Sequence, residues 1–272
     1  LRRLRVGDQI VLTTGLVAPG IPRGETDGPP GAVALARAVI LGRGVQVVLL
    51  TESRSVPVLQ AVADALASSE GDGADWRDGL EIREFPAEPQ AATRAAHRLW
   101  AAHAPAALVS VEKLGPNARG VIHNMLGQDV TQSQARSDRL FPLARQAGAL
   151  TVGIGDRGNE IGLGGLLRAA GRCRCPCGGS IACVVPAEVA VVAFSSNWGA
   201  YAVAAALAAR LRSPQLLHQP GSEARMLRRM VRAGAVDGVT RQPDPTVDGG
   251  SLALQTAMVG MLGALVGKAP LS

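Results

Sequence analysis

The chain has 272 residues, 47% of them hydrophobic and only 3% aromatic, so it can bury a sizeable core built mainly from Ala, Val and Leu. The net charge is +6, but the arginines are scattered and stacking aromatics are scarce. Nucleic acid is therefore not implied, and a small anionic substrate suits the basic balance equally well. No apolar stretch, the alanine-rich 201–211 included, is long enough to span a bilayer, so a soluble protein without membrane partners is expected.

In chain order, Gln9-Ile-Val-Leu-Thr-Thr-Gly reads as a strand entering a loop that contains Arg23-Gly-Glu-Thr-Asp-Gly-Pro-Pro-Gly. Pro29 and Pro30 fit a helix start, and apolar spacing predicts a helix over 31–41, stopped by Gly42 and Gly44. A strand over 45–50, a helix over 55–68, a Gly- and Asp-rich surface excursion over 69–79, a strand over 80–85, a helix over 89–103 and a strand over 106–111 follow. This alternation predicts one α/β domain over 1–272, Rossmann-like, with a mostly parallel sheet and helices on both faces. The strand over 106–111 ends in Glu112-Lys-Leu-Gly and a further polar loop, before a helix over 138–147 and a buried strand over 149–154. Beyond lie expected strands over 180–185 and 188–194, the segment Ser195-Ser-Asn-Trp-Gly, helices over 200–211 and 223–233, a short strand over 236–240 and a closing helix over 252–266. Polar loops leaving several strand ends reinforce one another, because open α/β sheets bind ligands outside the carboxyl ends of their strands.

The strand over 149–154 runs into Gly153-Ile-Gly-Asp-Arg-Gly-Asn-Glu-Ile-Gly-Leu-Gly-Gly, which crowds two carboxylates, an amide and an arginine between glycines. Gly158 permits a positive φ, and Glu160 is expected to open a helix whose free N–H groups would attract an anion. The plain alternative is a strand-to-helix turn. A nucleotide- or phosphate-binding turn is a further one, since Gly-x-Gly-x-x-Gly is matched, but a dinucleotide site wants an acidic residue about twenty positions later, where Arg172 to Cys177 stand. The four cysteines, Cys173, Cys175, Cys177 and Cys183, are spaced poorly for zinc and have no sequence-near His, so neither a zinc site nor an obligatory disulfide is expected.

Four ordered segments, Glu25-Thr-Asp-Gly-Pro-Pro-Gly-Ala, His123-Asn-Met-Leu-Gly-Gln-Asp, Gly153-Ile-Gly-Asp-Arg-Gly-Asn-Glu-Ile-Gly-Leu-Gly and Ser196-Asn-Trp-Gly-Ala-Tyr-Ala, resemble the D-glutamate cyclase family. The resemblance runs from about Gly15 to the Thr246-Val-Asp-Gly segment. It implies conversion of D-glutamate to 5-oxo-D-proline with loss of water by a hydro-lyase. It also implies a mitochondrial matrix location in animals, a cytoplasmic one in bacteria, and an upstream hydratase-like domain in the full-length animal chain. Ser195-Ser196 in place of a Val-Ser pair, and Ala200 in place of Gly, depart from the family pattern and bear on specificity. A hydro-lyase acting on another small amino or hydroxy acid fits the same residues.

Lactam formation asks the α-amine to attack the γ-carboxylate of the same molecule. One group must take a proton from the ammonium, another must protonate or polarise the carboxylate, and donors must hold the oxyanion. Asp156 and Glu160 are the expected acid-base pair, with Glu160 favoured for proton transfer; Asn159, Asn197 and N–H groups near Gly158 are the expected oxyanion donors. Glu25 and Asp27 would bind the substrate ammonium, or join Asp156 in holding a divalent cation, Mg²⁺ or Mn²⁺, through oxygen; no other cofactor is called for, and no metal ligand is assigned. Arg119, Lys113 and Arg157 offer charge for the α-carboxylate, Asn124 and Trp198 line the pocket, and His123 is a candidate proton carrier against the commoner structural histidine. Ser195 and Ser196 lack a nucleophile elbow, which excludes a serine hydrolase.

Overall fold

The computed structural model describes residues 4–69, 76–164, 166 and 176–267. Cys173 and Cys175 lie outside them, as does most of the 69–79 excursion. Six strands, β1 (Gln9–Thr13), β2 (Gln46–Thr51), β3 (Leu80–Glu84), β4 (Ala107–Val111), β5 (Leu150–Gly155) and β6 (Val189–Val192), form one all-parallel sheet in the order β3-β2-β1-β4-β5-β6. The fold is therefore α/β, with the doubly wound order that the alternation predicts.

Side-chain alternation assigns each strand to two cores. Ile10 and Leu12 of β1 pack with α1 (Pro29–Arg43), α2 (Val56–Ala67), α5 (Ser196–Leu211) and α6 (Pro220–Arg232), whereas Val11 faces α3 (Pro89–His103) and α4 (Leu140–Gln146). Strands buried on both faces read as the continuous apolar runs Gln46-Val-Val-Leu-Leu-Thr and Ala107-Leu-Val-Ser-Val. Helix α1 begins on the two prolines and ends on Gly44 at φ 63, and it is apolar nearly all round because α5 covers the side that the sheet does not. Helix α7 (Leu252–Gly267) closes against α5 and α6. Among the described residues, no helix is long and apolar enough to cross a membrane.

Four expectations need correction. No helix starts at Glu160, which instead sits in an isolated bridge with Leu114. The 180–185 stretch is irregular, because Cys183 and Val184 bond to Gly158 and Pro116 rather than to a strand. Over 236–240 only Val236 bridges, to Glu25, before the chain turns on Asp237. Finally, Trp76 at the end of the supposed surface excursion is 1% exposed and packs in the core.

Candidate active site

The strand order reverses between β1 and β4, the switch point outside whose carboxyl ends open α/β sheets bind their ligands. The loop after β1 brings Glu25 and Asp27, β4 leads to Glu112, the turn after β5 holds Asp156, Arg157 and Glu160, and the segment after β6 supplies Ser195, Ser196 and Asn197.

Asp27 and Asn197 lock the starts of two helices to each other. Asp27 Oδ1 accepts from the Ser195 hydroxyl (2.9 Å) and the Asn197 N–H (2.8 Å), and Oδ2 accepts from the Ser196 N–H (2.8 Å), which caps α5. In return Asn197 Oδ1 accepts from the N–H groups of Gly28 (2.9 Å) and Gly31 (2.8 Å) at the start of α1, while its Nδ2 donates to the Thr26 carbonyl (3.0 Å). Gly28 adopts φ 93, and a Cβ on Gly31 would lie 2.8 Å from Asn197 Cα, so both glycines are required for this approach. Asn197 is thus a reciprocal cap, with its oxygen taken by two N–H groups and one amide hydrogen given to Thr26. Asn197→Ala is expected to lower stability by about 2 kcal/mol, the upper end for a helix cap, and a melting curve checks it; an unchanged melting temperature would contradict the locking role.

The turn after β5 closes on its own carboxylate. Glu160, with no exposed surface, accepts from the N–H groups of Asp156 (3.3 Å), Arg157 (3.0 Å) and Gly158 (2.8 Å), with Gly158 at φ 91. Residues 160–164 then fold back along β5 so closely that a Cβ on Gly153 would stand 2.4 Å from Gly162 Cα. This anion nest contains Glu160 where a phosphate would sit, and the start of α1 is likewise satisfied by Asp27 and Asn197. Neither Gly-rich element therefore offers the free N–H groups that a phosphate-binding reading needs. In Glu160→Gln an amide nitrogen would face at least one of these N–H donors. A loss of about 1–3 kcal/mol is expected on a denaturant curve; unaltered stability with reduced turnover would instead return Glu160 to the proton-transfer role that the sequence suggests.

Around Asp156 the acids gather. Glu112, at φ 47, accepts a short hydrogen bond from the Ser196 hydroxyl. Asp248, from the loop before α7, joins Arg157 at 3.5 Å, and Arg157 also pairs with Asp156 at 3.0 Å. Oxygens of Asp27, Asp156 and Asp248 lie within 4.8 Å of one another, as do those of Glu112, Asp156 and Glu160. No donor among the described residues reaches Oδ1 of Asp156 or Oε1 of Glu25, both buried. Burial drives the protonation states: it raises Asp156 to about 10, assisted by the adjoining Glu160, and Asp27 to about 7, assisted by Asp248. Glu25 and Glu112 are raised well above the carboxylate range by burial and then by neighbouring acids, and burial also raises Asp248. Crowded oxygens on a rigid frame, two of them without a donor, fit a divalent cation such as Mg²⁺ or Mn²⁺, for which Asp27, Asp156 and Asp248 are the natural ligands.

The other residues singled out in the sequence lie elsewhere. Asn159 is buried beside the turn and its Nδ2 donates to the His123 carbonyl, which, like the Asn197 bond to Thr26, uses one of the two hydrogens of the amide. Asn124 closes its own turn through Leu126 and Gln128. Arg119 is exposed on the turn held by Asn117, next to Gly179. Lys113 is buried in an ion pair with Glu52 and also donates to Gly15 and Gln134, so it is committed to the frame. Trp198 points away toward α7, donating to Gln255 at 2.6 Å and packing near Phe194. His123 is buried with Nε2 3.5 Å from Cys177 Sγ, a contact hidden by their separation in sequence. Burial raises the Cys183 thiol to about 12, which leaves it inert.

Sequence reasoning missed Glu112 and Asp248 as members of the cluster. Glu112 stands at a strand end, a signal that was available. Asp248 had only an Asp-Gly pair, and its approach depends on the folding of a distant loop.

Fold and site together define an α/β protein with a buried carboxylate crevice at the switch point of a doubly wound sheet. The chain belongs to the D-glutamate cyclase-like, C-terminal family, whose profile matches residues 1–263. It is similar to the human protein named D-glutamate cyclase, mitochondrial, at 31% identity over 199 residues, which cover 68% of this chain. The match spans 30% of that human protein's length.

Proposed function

We propose that this chain cyclises D-glutamate to 5-oxo-D-proline with release of water, as a hydro-lyase. The buried carboxylate cluster carries this reading: it sets acids with separated pKa values side by side, Asp27 at about 7 and Asp156 at about 10, as an intramolecular condensation between an ammonium and a carboxylate demands. The D configuration comes from the family description.

In this scheme the substrate ammonium enters among Glu25, Glu112 and Asp248, and an ionised member of that group takes its proton. Glu112 is the proposed acceptor: the Ser196 hydroxyl orients it at the end of β4, and the positive charge of the bound ammonium offsets the burial and acid-acid repulsion that otherwise keep it protonated, so it releases its own proton as the substrate enters. Asp156, protonated at neutral pH, is the proposed donor to the departing hydroxyl oxygen of the γ-carboxyl group. Arg157, on the rim of the crevice, is the proposed holder of the substrate's α-carboxylate. Glu160 shapes the turn that presents Asp156. The amides of Asn159 and Asn197 each give one N–H to a backbone carbonyl, and their second N–H groups are the proposed donors to the tetrahedral oxygen. Were a divalent cation held by Asp27, Asp156 and Asp248, it would displace the Asp156 proton and polarise the γ-carboxylate in that proton's place.

The test is to incubate the purified protein with D- or L-glutamate, with EDTA, Mg²⁺ or Mn²⁺, and to follow the products by chiral chromatography. Formation of 5-oxo-D-proline from D-glutamate is expected; no cyclised product under any metal condition would reject the reading. A mitochondrial location and an upstream hydratase-like domain remain features proposed from the relatives, and fractionation of source cells with mass spectrometry of the intact protein tests both.

A further inference from the structure

We infer that the 237–250 loop is a preassembled wall of the carboxylate site and that Asp237 is the residue positioning Asp248 within it. This rests on the cyclase reading of that site. Asp237 has no exposed surface, and its carboxylate joins the two ends of the loop. Oδ1 accepts from the N–H groups of Val239 and Thr240, both at 2.8 Å, while Oδ2 accepts from the Thr246 hydroxyl at 2.6 Å and the Gly249 N–H at 2.8 Å. Its backbone bonds to Gln242 (3.0 Å) and Arg241 (2.9 Å), so the intervening turn is closed as well. Three of these donors draw the Asp237 carboxyl below its ordinary range against the effect of burial, and the Val239 N–H adds to them.

The loop touches the site at two places. At its start, Val236 bridges Glu25 through the Thr26 N–H (3.0 Å) and the Gly24 carbonyl (3.2 Å). A Cβ on Gly238 would lie 2.1 Å from Glu25 Oε2, so that glutamate lies flat against bare backbone. At its end, Asp248 takes φ 52, a left-handed conformation that aspartate tolerates in turns and that the loop must select over the extended alternatives. The Gly249 N–H bond to Asp237 and the Val247–Gly250 pairing supply that constraint directly on either side of Asp248. Asp237 touches none of the reacting groups and acts through Asp248, which stands within 4.8 Å of Asp27 and Asp156.

The experiment compares Asp237→Asn, Asp248→Asn and the double variant by kcat and KM for D-glutamate, by Mn²⁺ titration calorimetry and by melting temperature. Asn at 237 keeps the shape but turns an amide nitrogen toward some of the four donors. Each single variant is expected to raise KM and weaken Mn²⁺ binding about 10-fold or more, and the double variant to be no worse than the weaker single one. Asp237→Asn that lowers only the melting temperature, or losses that multiply in the double variant, would overturn the inference. If Asp237→Asn does not fold, Thr246→Val removes one donor and is expected to move KM and Mn²⁺ affinity in the same direction; unchanged values would count against the positioning role. A wild type that binds Mn²⁺ but forms no 5-oxoproline would reject the cyclase reading while the calorimetry still decides the role of Asp237. A wild type that does neither would overturn both.

Discussion

Asp156→Asn is expected to lower kcat by about 10² to 10⁴ while the protein still folds, because an amide of the same shape cannot give up a proton to the leaving oxygen. Asp156 is chosen over its neighbours on geometry. It follows β5 directly, one of its oxygens finds no donor among the described residues, and it belongs to both oxygen clusters. Glu160, four residues on, has its oxygens turned into the loop. The two substitutions should therefore separate: Asp156→Asn loses turnover with a melting temperature no lower than wild type, and higher toward alkaline pH because the amide has no proton to lose on unfolding, whereas Glu160→Gln loses stability. Measuring kcat and melting temperature on the same samples checks this, and wild-type turnover in Asp156→Asn would remove Asp156 from the chemistry. If the residue is chiefly a cation ligand, the loss should shrink at saturating Mn²⁺, whereas loss of a proton donor should not.

The stability of the metal-free protein is expected to fall as pH rises from about 6 to 9, with Mn²⁺ restoring more of it at the upper end than at the lower. Asp27 and Asp156 are raised in the folded state from 3.8 to about 7 and to about 10, so between 3.8 and those values the folded protein holds protons that the unfolded chain has released. A group raised in this way stabilises fully below its unfolded pKa, and its contribution is lost as pH climbs to the folded one. Asp27 contributes this loss up to about pH 7, and Asp156 continues it toward 10, each at a limiting slope of about 1.4 kcal/mol per pH unit. A cation that displaces these protons binds better as they become easier to remove, which gives the larger rescue at high pH. Melting curves in EDTA and in Mn²⁺ across this range test the linkage. A melting temperature independent of pH in EDTA would show that the acids are not held protonated by the fold.

The sequence by itself determined the alternation of strands and helices, because parallel strands buried on both faces leave uninterrupted apolar runs and Pro29, Pro30 and Gly44 mark helix ends by their backbone limits alone. It also located Glu25, Asp27, Asp156 and Glu160, since polar residues at strand ends in an α/β pattern can only fall on one edge. What individual residues do was decided by the tertiary structure, for Asp27 and Asn197 through contacts over more than 100 residues of chain. Asn197 reads as a donor for substrate, but α1 comes close enough for its oxygen to cap that helix and for its nitrogen to give one bond to Thr26, and Lys113 reads as an anion binder until Glu52 pairs with it. Local pattern made Glu160 a helix start, but burial against β5 left the turn's own N–H groups in need of an acceptor, and the glutamate filled that need. Asp248 carried no strand-end signal at all. Its place depends on Asp237 tying together a loop whose fold follows from four hydrogen bonds, an arrangement that no periodicity in the chain encodes.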